Sequence, residues 1–286
     1  MAGINSERLE LSVLGIPTAY YRKAPQRAAG ATACPTVVLF HGGAPGVCAD
    51  LNWFRNFDAL VEAGYDVIAF DQPGFGHSGI PEDHTIEFRY RHALAFLQAL
   101  GLESVHLIGN SIGGLLCTLI AHRTRSAPIV RSLVLSAPFP FFDVPPEVIE
   151  RLAKHRSRLE SIEPTFDSIR KLCMNTFNQP EQVTDDVVAL RLSMLQGDRW
   201  TAYKTRSKSA RDFDQEEVRE AVLDTPTLMV WGLNDLSLPS DIGVAAMQHF
   251  SDGQFLFLPH CGHWPQTEQA KIFNRSTIDF LGDQER

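Results

Sequence analysis

Residues 105–114 read VHLIGNSIGG. The first five, Val105–Gly109, form a short and almost continuously apolar run, the pattern of a strand buried on both faces of a parallel sheet. Gly109-Asn110-Ser111-Ile112-Gly113 then fits G-x-S-x-G, and a helical run, Leu115–His122, follows. A strand passing through a glycine-flanked serine into a helix makes a sharp turn. Such a turn lifts the hydroxyl out at the carboxyl end of the sheet, where open α/β sheets bind ligands. A chance match in a Gly-rich loop would lack both flanks.

Outward from this point the same rhythm repeats. Thr36–Phe40, Asp66–Phe70, Ser132–Ser136, Thr227–Trp231 and Gln254–Leu258 read as strands, and Glu10–Val13 with Ala19–Arg22 as a leading antiparallel pair. Thr85–Leu100 carries Ile86, Tyr90, Ala93, Leu94 and Leu97 at helical spacing, with Gly101 as its stop. The expected class is α/β, with a doubly wound, mostly parallel eight-stranded sheet. From Pro138 to about Asp224 no strand is readable. A structureless loop of that length is improbable, so an inserted helical lid at 138–224 is expected, with 1–137 and 225–286 forming the core domain.

Composition narrows the function. The chain has 286 residues, 44% of them apolar and 21% charged, which is ordinary globular usage. Its 26 basic and 34 acidic residues give a net charge of −8, against the basic excess of a nucleic-acid binder. The five cysteines (Cys34, Cys48, Cys117, Cys173, Cys261) show no zinc or CxxC spacing, so a reducing, cytoplasmic setting is expected. The opening MAGINSERLE has no apolar core of a signal peptide, and runs such as Leu115–Ala121 fall far short of the ~20 residues that cross a bilayer. No membrane or nucleic-acid partner is expected, and a homodimer or higher homo-oligomer is the base-rate expectation.

A serine hydroxyl needs a base, and the base an orienting acid. Asp235 follows the strand Thr227–Trp231, and His263 follows Gln254–Leu258. Both therefore leave the sheet at the edge where Ser111 stands, in the chain order serine, acid, histidine. Asp224 precedes its strand and Asp241 lies beyond Pro239, so Asp235 is the preferred acid. His260 and Cys261 with His263 lack a fourth ligand of suitable spacing, so no metal is expected. After Thr36–Phe40 comes His41-Gly42-Gly43, where small residues allow backbone N–H groups to face a developing oxyanion. Gly42, Gly43 and Ile112, the residue after the serine, are the candidate donors. His41 reads as a structural residue.

These features resemble the α/β-hydrolase superfamily along nearly the whole chain. More narrowly, HGGAPG (41–46), NWFRNF (52–57), EAGYDVI (62–68), PGFG (73–76), GNSIGG (109–114) and CGHWPQTE (261–268) resemble the meta-cleavage product hydrolases. Those enzymes break a carbon–carbon bond in 2-hydroxy-6-oxo-hexa-2,4-dienoates. The resemblance implies a catalytic Ser111–His263–Asp235 set, no cofactor, and substrate contacts from Asn52, Asn110 and Trp264. It also implies that VTDDVVALR (183–191) ends in Arg191, which would bind the carboxylate of a small-molecule substrate. The chain departs from the family at Ile112 and Ala44, where backbone rather than side chain acts, and its lid matches weakly.

Arg191 also stands out without the resemblance. Thr184 is a good N-cap, with Asp185 and Asp186 in the favourable first turn. The helical neighbours of Arg191 are Val187, Val188, Met194 and Leu195, all apolar. A guanidinium in that stripe faces inward and needs an anion, either a substrate carboxylate, bidentate, or a lid acid, unless it reaches water. The leading expectation is hydrolytic C–C cleavage of a dienoate. Alternatives are a carboxylesterase or lactonase using the same residues, and a non-catalytic ligand receptor. Epoxide hydrolases and haloalkane dehalogenases need Asp where this chain has Ser111. Phe139, Phe141, Phe142, Phe166, Phe177 and Trp200 are candidate pocket walls.

Overall fold

The structure is a computed structural model and describes residues 3–26, 34–124, 126–209 and 216–286. Eight strands form one sheet: β1 (Arg8–Val13), β2 (Ile16–Lys23), β3 (Thr36–Phe40), β4 (Asp66–Phe70), β5 (Ser104–Asn110), β6 (Ile129–Ser136), β7 (Thr227–Gly232) and β8 (Gly253–Leu258). Their order is β1-β2-β4-β3-β5-β6-β7-β8. β1 and β2 pair antiparallel and β2 is antiparallel to β4, while the other pairs are parallel. The six strands β3, β4, β5, β6, β7 and β8 therefore end at one edge, and every predicted triad and oxyanion residue sits just past the end of β3, β5, β7 or β8.

The apolar runs become strands because helices cover both faces. Val38 and Phe40 of β3 belong to one core layer and Val37 and Leu39 to the other, all fully buried. One layer packs the helices Ile86–Ala99 and Ile112–Arg123 against the sheet; the other packs Phe57–Glu62 and Ala270–Asp283. The helix read at Thr85–Leu100 spans Ile86–Ala99, with the Thr85 hydroxyl capping the Phe88 N–H. The leading pair and β6 run longer than their buried cores because their outer ends are exposed, as at Arg8, Leu9 and Ile129, which a reading of buried apolar runs misses.

Between β6 and β7 the described residues hold helices at Pro146–Glu160, Phe166–Thr176, Asp185–Ser193, Asp198–Ser209 and Glu216–Arg219, with a short 3₁₀ turn at Pro180–Gln182. Part of this insert has its own apolar cluster, which joins Ile169, Leu172, Cys173, Phe177, Val187 and Val188 to Val47, Cys48, Leu51 and Trp264 of the sheet domain. The insert is thus packed onto the edge that carries the site.

Candidate active site

The turn after β5 holds Ser111 at φ 54°, ψ −122°, a backbone conformation unusual for a residue with a Cβ. Strain of this kind costs about 1–3 kcal/mol and persists only when the surroundings impose it. Here they do. The N–H of Ser111 donates to the Ser136 carbonyl (3.0 Å), and its own carbonyl accepts from Phe139 (2.9 Å) and Leu115 (3.1 Å). A Cβ at Gly113 would run into the carbonyl oxygens of Phe40 and His41, so only glycine lets the elbow pack against the end of β3.

Asp235 and His263 meet as their chain positions predict. His263 Nδ1 is 2.6 Å from Asp235 Oδ2. The other carboxylate oxygen of Asp235 accepts from the N–H groups of Ser237 (2.7 Å) and Leu238 (2.9 Å). Trp231 Nε1 donates to the Leu238 carbonyl (2.9 Å), closing this loop at its base. With Nδ1 facing the carboxylate, the Nε2 face of the imidazole is left for proton transfer. Asp224 instead accepts from Ser251, and Asp241 pairs with Arg151, both away from His263.

The oxyanion loop lies beside the elbow. A Cβ at Gly42 would sit 3.5 Å from Ser111 Cβ, and one at Gly43 would sit 3.1 Å from the Ile112 side chain. The three candidate donors are not equivalent. The Gly42 N–H already donates to Asn52 Oδ1 (2.9 Å), whereas those of Gly43 and Ile112 carry no such bond among the described residues. The asparagines are scaffold in the same sense. Asn52 Nδ2 reaches Asn110 Oδ1 (3.4 Å), and Asn110 Nδ2 donates to the carbonyls of Ser136 (3.0 Å) and His263 (3.3 Å). Both asparagines are fully buried. They tie the oxyanion loop, the elbow and the histidine loop into one network.

Arg191 is fully buried. Its Nε donates to the Pro45 carbonyl (2.8 Å), Nη1 to Cys173 Sγ (3.4 Å), and its guanidinium lies 5.6 Å from the Trp264 ring centre. No carboxylate pairs with it among the described residues, and Nη2 is buried without a hydrogen-bond partner. Gly46, at φ 69°, makes the close approach possible, because a Cβ there would strike the backbone of Arg191. The arginine is thus carried by the insert but docked on the loop that follows the oxyanion glycines.

The aromatic candidates separate. Phe177 packs edge-on to Trp264, at 5.2 Å between centroids. Phe141 and Phe142 pack on His249 and with the core, Trp200 stacks on Tyr203, and Phe166 is exposed beneath Arg170. Two further residues escaped the reading of the sequence. His155 lies on the inner stripe of Pro146–Glu160, with Val148 and Leu152 two turns and one turn before it and Leu159 one turn after. Burial pushes its imidazole down to about 4, helped by the charge of His263 and opposed by Asp235. The other is Glu268, buried in the CGHWPQTE stretch. The charge-rich helix around His155 reads as surface despite that stripe, and Glu268 carries no spacing signal.

The profile of the α/β hydrolase fold matches residues 35–270, and the chain belongs to that family. Within it, the chain is similar to the 2-hydroxy-6-oxononadienedioate/2-hydroxy-6-oxononatrienedioate hydrolases of Cupriavidus pinatubonensis (32% identity, 87% of each chain) and Paraburkholderia xenovorans (33%, 86% of each). It is also similar to the 2-hydroxy-6-oxo-6-phenylhexa-2,4-dienoate hydrolase of Burkholderia cepacia (30%, 86% of this chain and 87% of that one). A solved meta-cleavage product hydrolase from Pseudomonas fluorescens superposes with a TM-score of 0.82 at 26% identity, over 96% of this chain and 97% of the other. None of the described helices is long and apolar enough to cross a membrane.

Proposed function

We propose that the protein is a serine hydrolase that cleaves the C5–C6 bond of a 2-hydroxy-6-oxo-hexa-2,4-dienoate, the product of meta ring cleavage of a catechol. The observation that carries this reading is Arg191: a buried cation with one nitrogen unpartnered and no anion among the described residues, in the cluster that holds Trp264 beside the catalytic pair. Such a charge costs several kcal/mol unless an anion completes it. The C1 carboxylate of a dienoate supplies that anion with bidentate geometry. An ester lacking a carboxylate does not. The names of the relatives point to the same substrate class.

In this reading the insert at 138–224 is a lid over the site. Arg191 orients the dienoate, and His263, held by Asp235, moves the proton of the 2-hydroxyl toward C5, giving the keto form. Ser111 adds to C6, its proton passing to His263, and the oxyanion sits on the N–H groups of Gly43 and Ile112. Gly42 acts through Asn52 to shape that loop. The C5–C6 bond then breaks, its electron pair leaves with the five-carbon fragment, which takes the proton back from His263, and an acyl-Ser111 remains. Water, deprotonated by His263, releases the carboxylic acid. The five free cysteines support a reducing, cytoplasmic setting.

The test offers a coloured dienoate and a simple aryl ester side by side. Bleaching of the dienoate that Ser111→Ala lowers by at least ~1,000-fold supports the assignment. Strong ester turnover with no bleaching makes the protein an esterase or lactonase. Tight dienoate retention with neither product makes it a receptor.

A further inference from the structure

Three consecutive N–H groups frame the catalytic histidine, at Gly262, His263 and Trp264, and each is held from outside its own loop turn. His263 N–H donates to the carbonyl of Thr176, the last residue of the insert helix Phe166–Thr176 (2.9 Å). Gly262 and Trp264 N–H donate to the same oxygen, Glu268 Oε1 (3.0 and 3.4 Å). The second oxygen, Oε2, accepts from Asn178 N–H (2.7 Å), two residues beyond that helix. One carboxylate therefore grips the histidine loop with one oxygen and the stem of the insert with the other.

The surroundings extend the same seam. Gln182 Nε2 donates to the Glu268 carbonyl (3.1 Å) and Gln179 Nε2 to that of His260 (3.1 Å). Glu268 is 5% exposed and has no cationic partner among the described residues. Burial raises its carboxyl above the ordinary glutamate range, against the opposing pull of the backbone N–H groups of Gly262, Asn178, Trp264 and Gln179. A buried acid neutralised by backbone alone is an expensive way to fasten a surface loop. A methyl group at Gly262 would come within 2.9 Å of both Asn178 N and Glu268 Oε1, so the seam is closed tightly.

We infer that Glu268 is a positioning residue that couples seating of the insert to placement of His263, so that the histidine is aligned only while the stem at 176–178 is docked. The inference rests on His263 being the base proposed above. It also explains how Arg191, which the insert carries, and His263, which the sheet domain carries, keep a fixed separation around one substrate.

The test uses the full-length protein with Glu268→Gln, Asn178→Pro and the double variant. Asn178→Pro removes the N–H that Oε2 accepts and sets a ring carbon against that oxygen, which breaks the link from the stem side, and the extended Phe177 before it (ψ 138°) tolerates a following proline. Displacing a base by about 1 Å costs on the order of 100-fold, so kcat for the dienoate is expected to fall about that much in Glu268→Gln. The acid limb of the kcat/KM profile, set by His263, should move with it. The double variant should be no worse than the more damaged single variant, because both cut one linkage. Limited proteolysis within 138–224 should accelerate in each folded variant. Losses that multiply in the double variant, or an unmoved acid limb, overturn the coupling. If Glu268→Gln fails to fold, Asn178→Pro alone decides: kcat within about twofold of the parent overturns it. If the parent turns over neither dienoate nor ester, the catalytic reading fails, and unchanged proteolysis in the variants then sinks the clamp separately.

Discussion

Replacing Arg191 by methionine separates function from stability in opposite directions. Methionine is close in length, unbranched and apolar, and the site is walled by Val187, Val188, Cys173 and Trp264. The substitution removes a buried cation whose Nη2 has no partner; exchanging buried charge for packed apolar atoms returns about 1–4 kcal/mol. Against this stand the hydrogen bond to Pro45, about 1 kcal/mol, and the Trp264 contact, about 0.5–2 kcal/mol. The balance leaves stability within about 2 kcal/mol of the parent. The dienoate, however, would then bury its carboxylate unpaired, a loss of about 3–5 kcal/mol, or roughly 10²–10⁴-fold in kcat/KM. A neutral aryl ester has no carboxylate to lose and should keep its rate within about threefold. Urea denaturation and parallel kinetics on the two substrates measure all three quantities. Equal losses on dienoate and ester, or a dienoate kcat/KM within about tenfold of the parent, would refute the assignment of Arg191 as the carboxylate anchor.

Ser111→Gly should abolish turnover yet raise stability by about 1 kcal/mol, because glycine adopts φ 54° without strain; a lower urea midpoint than the parent would contradict the strained elbow. Asp235→Asn should cost about 10⁴-fold in kcat by holding His263 in the wrong tautomer, with native-like circular dichroism as the control. His155, depressed from 6.5 to about 4, binds its proton in the unfolded chain before the folded one, so stability falls as pH drops through that window. Its share is up to about 3 kcal/mol between pH 7 and 4, and His155→Leu should flatten the pH dependence of the urea midpoint there; an unaltered slope would place His155 elsewhere.

Much of the site could be read from residues 36–40, 105–114, 227–235 and 254–263 because each couples a strand to a residue at its carboxyl end. Buried strands announce themselves as apolar runs and parallel strands end at one edge, so topology brings Asp235 and His263 together and sets Ser111 at the same edge. Arg191 was legible for a different reason: a charge inside an apolar helical stripe contradicts its surroundings. What stayed hidden depends on hydrogen-bond bookkeeping. Nothing in His41-Gly42-Gly43 says that Asn52 takes the Gly42 N–H and leaves that of Gly43 free. Glu268 follows Pro-Gln-Thr in a short helix, where a glutamate ordinarily meets water, and only the fold shows the N–H groups of Gly262, Trp264 and Asn178 turned on it.

Three departures from local rules lie together at the proposed site. Ser111 sits at positive φ, and among the described residues neither the buried cation of Arg191 nor the buried acid of Glu268 has an ionic partner. Each departure raises the energy of the folded state, and in a protein with an ordinary net stability of about 5–15 kcal/mol such costs are a large share. Elsewhere the sheet is regular, with β3, β4 and β5 buried on both faces and their side chains divided between two core layers. A sequence under no functional demand would shed these penalties by single substitutions: glycine at 111, methionine at 191, glutamine at 268. These three departures lie at the carboxyl edge of the sheet, around one His–Asp pair, which supports the proposed placement of the chemistry there. It also says what the ligand must bring, namely an anion for Arg191 and a carbonyl for Ser111, the two groups a 2-hydroxy-6-oxo-dienoate carries at its opposite ends.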